Sequence, residues 1–142
     1  MRCRYCFYAD VAEHRSVPSH GVMGEDVMDA LIDRALAVGA DASVPFAFQG
    51  GEPTLAGLEF FQRFTDLVES KRNQQQIHYA IQTNGYLVDD PHKLPDLLDT
   101  LHADDVRILY WGDIDRAGLS ILSKLSDMAD GRFSVEPFSP AY

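Results

Sequence analysis

An α/β fold with a mainly parallel sheet and alternating helices is what this chain predicts. Two observations carry that expectation. Segments with apolar residues at helical spacing alternate with short apolar runs of strand length, four of each. Three of those short runs end in turns rich in glycine and polar side chains: Gln49-Gly50-Gly51-Glu52, Gln82-Thr83-Asn84-Gly85 and Gly112-Asp113-Ile114-Asp115. In open α/β sheets, ligands lie beyond the carboxyl ends of strands. The three turns together therefore point to ligand binding.

The elements follow in order. Residues 9–23 read as loop, with Pro18, Ser19 and Gly21. Residues 25–38 read as an amphipathic helix whose stripe is Val27, Met28, Leu31, Ile32, Ala35 and Leu36. Glu25 and Asp26 in its first turn complement the helix dipole, and Gly39 is a plausible stop. Val44–Gln49 is a short strand, and Leu58–Glu69 a second helix with Phe60, Phe61, Phe64, Leu67 and Val68 inward. Ile77–Gln82 is a second strand. After Val88 the texture changes, because Asp89-Asp90-Pro91 breaks the pattern. Pro95 then opens a short helix to Leu101, Val106–Trp111 is a strand, Leu119–Met128 a helix and Phe133–Val135 a last strand. The helix from Leu119 has Ile121, Leu122, Leu125 and Met128 in its stripe.

Composition bounds the function. The chain has 142 residues and a formal charge of −10, which argues against a broad phosphate-binding surface. Residues 1–88 hold 11 acidic and 7 basic side chains, and residues 89–142 hold 11 and 5. No apolar run reaches the roughly 18 residues of a membrane span. No apolar stretch follows the N-terminal arginines, so no signal peptide is read there. The expected compartment is the cytoplasm, where thiols stay reduced. The two cysteines form Cys3-x-x-Cys6. Such a pair suits a redox dithiol, half a zinc site or part of an iron–sulfur site. No second CxxC follows, and His14 and His20 lack zinc-finger spacing.

Cys3 and Cys6 as thiolates are soft ligands suited to iron. Gly50 and Gly51 let backbone approach a ligand closely, and Pro53 fixes the turn after Glu52. A carboxylate at a strand end can accept from an ammonium group. Gln82 and Asn84 offer amide donors and acceptors. These residues, within Arg2-Cys3-Arg4-Tyr5-Cys6-Phe7-Tyr8, Phe46–Leu55 and Gln82-Thr83-Asn84-Gly85, resemble the radical S-adenosylmethionine (SAM) superfamily. Within it, they are similar to anaerobic sulfatase-maturating enzymes and related SPASM-type maturases. The resemblance covers about residues 1–88 and implies a partial radical SAM barrel there. It implies that Cys3 and Cys6 ligate a [4Fe-4S] cluster, that Gly50, Gly51 and Glu52 hold the amino end of SAM, and that Gln82 and Asn84 line the pocket. The implied reaction is reductive cleavage of SAM, followed by hydrogen abstraction from a protein or peptide substrate. The family motif is CxxxCxxC, whose first cysteine falls two residues ahead of Met1. Two thiolates leave a second iron without a protein ligand, so the chain is not expected to be competent alone.

Asp113 and Asp115 lie two apart at a strand end, where their side chains can share a face. Paired carboxylates suit Mg²⁺, which can orient a phosphodiester. This stretch, with Gly118-Leu119-Ser120-Ile121-Leu122 and Pro137–Tyr142, resembles the Toprim-type metal site in the nuclease subunit of Wadjet plasmid-defence systems. The similarity runs from about Leu97 to Tyr142 and implies Asp113 and Asp115 as metal ligands. The expected organisation is therefore a radical SAM-like segment over 1–88 joined to a Toprim-like βα segment over 89–142, packed into one sheet or separate. The alternative functions are a Mg²⁺-dependent nuclease segment, the one reading that involves nucleic acid, and a non-catalytic α/β domain. No membrane partner is expected.

Overall fold

The computed structural model describes residues 14–17, 20–84, 93–101, 106–110, 116–129, 131 and 133–137. The chain divides into two compact units, Met1–Leu101 and His102–Tyr142. Both are mixed α/β and both pair their strands in parallel.

The first unit opens with α1, Glu25–Leu36. Met28 and Ile32, one turn apart, are its buried residues, with Ala35 and Leu36 packed partly behind them. Val27 and Leu31, placed by sequence in the same stripe, are 53% and 39% exposed. The apolar arc of this helix is wider than the surface that covers it. The helix ends at Leu36, ahead of Gly39, and a polar side chain takes its last carbonyl. The Gln75 amide donates to the Leu36 carbonyl at 3.2 Å, while its own oxygen accepts from the Asn73 amide at 2.8 Å. Gln75 is buried, and these two bonds satisfy it.

Strand β1, Ser43–Phe48, and strand β2, Gln76–Ile81, pair in parallel with Phe46 opposite Tyr79 and Phe48 opposite Ile81. Period-two alternation sends Val44, Phe46, Phe48, Ile77, Tyr79 and Ile81 to one face. That face meets α2, Leu58–Lys71, which buries Phe61, Phe64, Thr65 and Val68. The ladder enters at Ala42, whose carbonyl accepts from Gln76, and leaves at Phe48, whose carbonyl accepts from Gln82. The even-numbered residues of β1 therefore direct their backbone groups toward β2. Pro45, which has no N–H, falls on the opposite edge, where it costs no ladder bond.

The core centres on rings. Phe64 packs edge-on to Phe46, Phe48 and Tyr79 at centroid distances of 5.1, 5.0 and 6.5 Å. Phe61 meets Phe48 at 5.2 Å and packs with Leu97 and Leu101. Leu97 lies on α3, Lys93–Thr100, and Leu101 directly follows it. This helix starts two residues before Pro95. Pro95 thus sits in the first turn, where backbone N–H groups have no intrahelical partner. The buried Thr65 hydroxyl lies 3.1, 3.0 and 3.3 Å from the carbonyl oxygens of Phe61, Gln62 and Thr100, the last belonging to α3. Ion pairs from Lys71 to Asp29 and Asp33, both at 2.6 Å, and from Arg63 to Glu25 join α2 to α1 outside the core.

The second unit is a strand–helix–strand. Strand β3, Arg107–Tyr110, and strand β4, Ser134–Pro137, pair in parallel through α4, Arg116–Ala129. The helix begins three residues ahead of Leu119 and takes in Gly118. Ile121 is 47% exposed, so the inward stripe is Leu122, Leu125 and Met128, with Ala129 buried. Arg107 and Glu136 pair across the two strands at 3.2 Å.

Candidate functional site at the carboxyl ends of β1 and β2

Parallel pairing puts the carboxyl ends of β1 and β2 side by side. The chain leaves β1 through Gly50 and Gly51, with φ of 100° and 60°. Both values lie in the region that glycine enters without strain. A Cβ on Gly51 would meet nothing within 4 Å, so backbone conformation rather than crowding requires glycine there. The turn delivers Glu52, which is extended at φ −129° and caps a single 3-10 turn, Pro53–Ala56. Pro53 therefore opens a helical turn, at the position where its missing N–H is harmless.

The Glu52 carboxylate joins the two strand ends. Its Oε1 accepts from the Thr54 amide at 3.2 Å, the Thr54 hydroxyl at 2.6 Å and the Thr83 hydroxyl at 2.6 Å. Its Oε2 accepts from the Asn84 amide at 2.9 Å. Partial burial pushes the Glu52 pKa up. The hydrogen bonds from the Thr54 and Thr83 hydroxyls and from the Asn84 and Thr54 amides outweigh it, so the carboxyl sits below the ordinary glutamate value. Glu52 is thus held ionised at neutral pH in a fixed orientation.

The structure brings Gly50, Gly51, Glu52 and Asn84 together, Asn84 through its backbone amide. Gln82 continues the β-ladder with its amide, and its exposed side chain sits one residue before Thr83. Thr54 and Thr83 were not singled out by the sequence, although both lie inside the quoted motifs. A Glu-x-Thr cap is hard to see in advance, because aspartate, asparagine, serine and threonine are the usual N-caps. Cys3, Cys6, Asp113 and Asp115 lie outside the described residues. Among the described residues, no three His, Cys, Asp or Glu side chains converge to hold a metal ion. A groove between α1 and α2, lined by Glu25, Asp26, Asp29, Arg63 and Asp66 among others, contains none of the strand-end residues.

A partly exposed, ionised carboxylate beside a glycine turn suits a ligand's ammonium group. The chain is 45% identical over 92 residues to a cysteine-type anaerobic sulfatase-maturating enzyme of Clostridium perfringens, covering 63% of this chain and 24% of that protein. It is 30% identical over 91 residues to a serine-type enzyme of Bacteroides thetaiotaomicron, covering 63% and 22%. The chain thus spans about a quarter of the length of the curated relatives it matches. Among solved structures, native anSMEcpe with bound AdoMet superposes with a TM-score of 0.64 at 30% identity, over 94% of this chain and 38% of that one. Native anSMEcpe with bound AdoMet and Kp18Cys peptide gives 0.66 at 28% identity, over 95% and 39%. Residues 64–134 match the family described as Wadjet protein JetD, C-terminal. That match begins within α2, well before the Leu97 start expected from sequence, and takes in β2. By residues 64–134 the chain belongs to the Wadjet protein JetD C-terminal family, and by its relatives and solved neighbours it carries a radical SAM segment of the anaerobic sulfatase-maturating type.

Proposed function

We propose that the first unit is the SAM-binding corner of a radical SAM maturase, the part of a larger machine that modifies a protein or peptide. The observation that carries this reading is Glu52, ionised and strapped across the ends of β1 and β2 beside Gly50 and Gly51. In this reading Glu52 and the glycine turn hold the amino end of SAM, and Gln82 and Asn84 flank it. Cys3 and Cys6 would hold iron of a [4Fe-4S] cluster, which when bound would relay to SAM the electron of an external reductant. This chain's own residues orient the ammonium and keep the acceptor charged. Anaerobic reconstitution with iron and sulfide tests the reading. A broad visible absorbance that is lost in Cys3→Ala/Cys6→Ala, together with SAM binding weakened by Glu52→Gln, supports it. SAM binding that is indifferent to Glu52→Gln refutes it.

We propose as a second reading, for residues 97–142, that Asp113 and Asp115, two carboxylates spaced two apart in the sequence, bind Mg²⁺. Mg²⁺-dependent thermal stabilisation that disappears in Asp113→Asn is its test, and no such stabilisation in the unsubstituted chain removes it.

A further inference from the structure

The two oxygens of Glu52 are not equivalent. Oε1 accepts three hydrogen bonds, and two come from hydroxyls on different segments, Thr54 after β1 and Thr83 after β2. Oε2 accepts one, from the Asn84 amide. A carboxylate has about four lone-pair sites, roughly two on each oxygen. Among the described residues, Oε1 is therefore saturated, while Oε2 retains capacity for another donor. Among the described residues, no charged side chain contributes to the acidity of Glu52; neutral donors alone hold its charge. An incoming cation thus finds an acceptor with no counter-ion from those residues to displace.

We propose that Thr54 and Thr83 are positioning residues, which commit Oε1 of Glu52 to the protein and leave Oε2 as the edge that meets a ligand's ammonium group. The identity of that ligand rests on the SAM-binding reading above; the division of labour between the two oxygens rests on the geometry. Each threonine acts through Glu52. Fixing the carboxylate before the ligand arrives removes the rotamer entropy that binding would otherwise cost. Thr83 has a further effect, since its bond crosses from one strand end to the other. It couples the direction in which the acceptor faces to the spacing of β1 and β2.

The experiment has two arms on the full chain. In the first, the side-chain carboxyl carbon of Glu52 is followed by NMR through an acid titration, with Glu52→Gln providing the assignment. The midpoint is expected below the ordinary glutamate value. It is expected to move up in Thr83→Val and in Thr54→Val, and to return in Thr83→Ser and Thr54→Ser. A midpoint that does not move in either valine variant overturns the assignment. Should one valine variant fail to fold, the pair at the other threonine decides by the same criterion. In the second arm, S-adenosylhomocysteine, which carries the amino group, is compared with 5′-methylthioadenosine, which lacks it. Thr83→Val is expected to weaken S-adenosylhomocysteine by up to about tenfold, the cost of ordering a carboxylate no longer fixed in advance, with recovery in Thr83→Ser. Methylthioadenosine is expected to be unaffected. Equal weakening of both nucleosides overturns the ammonium contact. Binding of neither, with midpoints behaving as expected, supports the positioning of Glu52 and overturns the SAM-binding reading.

Discussion

Tyr79 carries the one buried side-chain polar atom without a hydrogen-bond partner among the described residues, its phenolic oxygen. The ring is well placed, stacked on Phe46 at 6.0 Å and 21° and on Phe48 at 6.5 Å and 20°. Tyr79→Phe keeps the ring and removes the orphan. An unsatisfied buried polar group costs about 1–3 kcal/mol. Tyr79 is only half-buried as a residue, so the lower end applies, and we expect a gain of about 1 kcal/mol. For a unit of this size that is a rise in melting temperature of roughly 4–8 °C. The effect has a pH signature. Burial first, then the charge of Glu69, against an opposing effect of Arg72, push the Tyr79 pKa from 10.0 up to about 12. A raised pKa on this acid means the folded state keeps a proton that the unfolded state releases. Stability from this group is intact below pH 10 and is lost as pH climbs toward about 12. Tyr79→Phe has no such loss, so its advantage over the unsubstituted chain widens with alkali. Circular-dichroism melts at neutral pH and within that alkaline window measure both effects. A variant that melts below the unsubstituted chain at neutral pH would show that the hydroxyl has a partner, and the reasoning would fail.

Three further outcomes follow from the same geometry. Phe64→Ala removes a ring that is 2% exposed and packed against four others, and should cost about 3–5 kcal/mol in urea unfolding, much of a small domain's margin. Gln75→Ala leaves the Leu36 carbonyl and the Asn73 amide without their shared partner, and should cost about 1–3 kcal/mol by the same measurement. Glu52 has a folded pKa below 4.5, so its contribution is present above that value and is lost as pH falls through the depressed one. Glu52→Gln should be less stable than the unsubstituted chain at neutral pH, and the two melting temperatures should converge in acid. A constant gap down to acid pH would contradict the depressed value.

Much of this fold was legible because its signals are periodic. Phe61, Phe64 and Val68 recur at helical spacing, and Val44, Phe46 and Phe48 alternate as a strand facing a helix must. Parallel pairing followed from the intervening helices. The glycine turn after β1 was legible because two adjacent glycines before a glutamate are costly unless the backbone needs them. What escaped was set by contacts between distant segments. Val27 and Leu31 read as core because periodicity cannot measure how wide a partner surface is. Nothing local in Asn73-Gln74-Gln75 marks Gln75 as the residue that reaches the end of α1. The start of α4 was missed because Gly118 is a poor helix former. Thr83 meets Glu52 only once β1 and β2 have aligned, so its role is a product of register.

The place of Pro45 has a consequence for association. On the outer border of β1, a docking strand would find the amides of Ser43 and Ala47 but a gap between them. A foreign chain could not zip along that border without leaving one of its own carbonyls unanswered. The outer border of β2 has no such interruption. Among the described residues, strand addition along β1 therefore meets an interruption that strand addition along β2 does not.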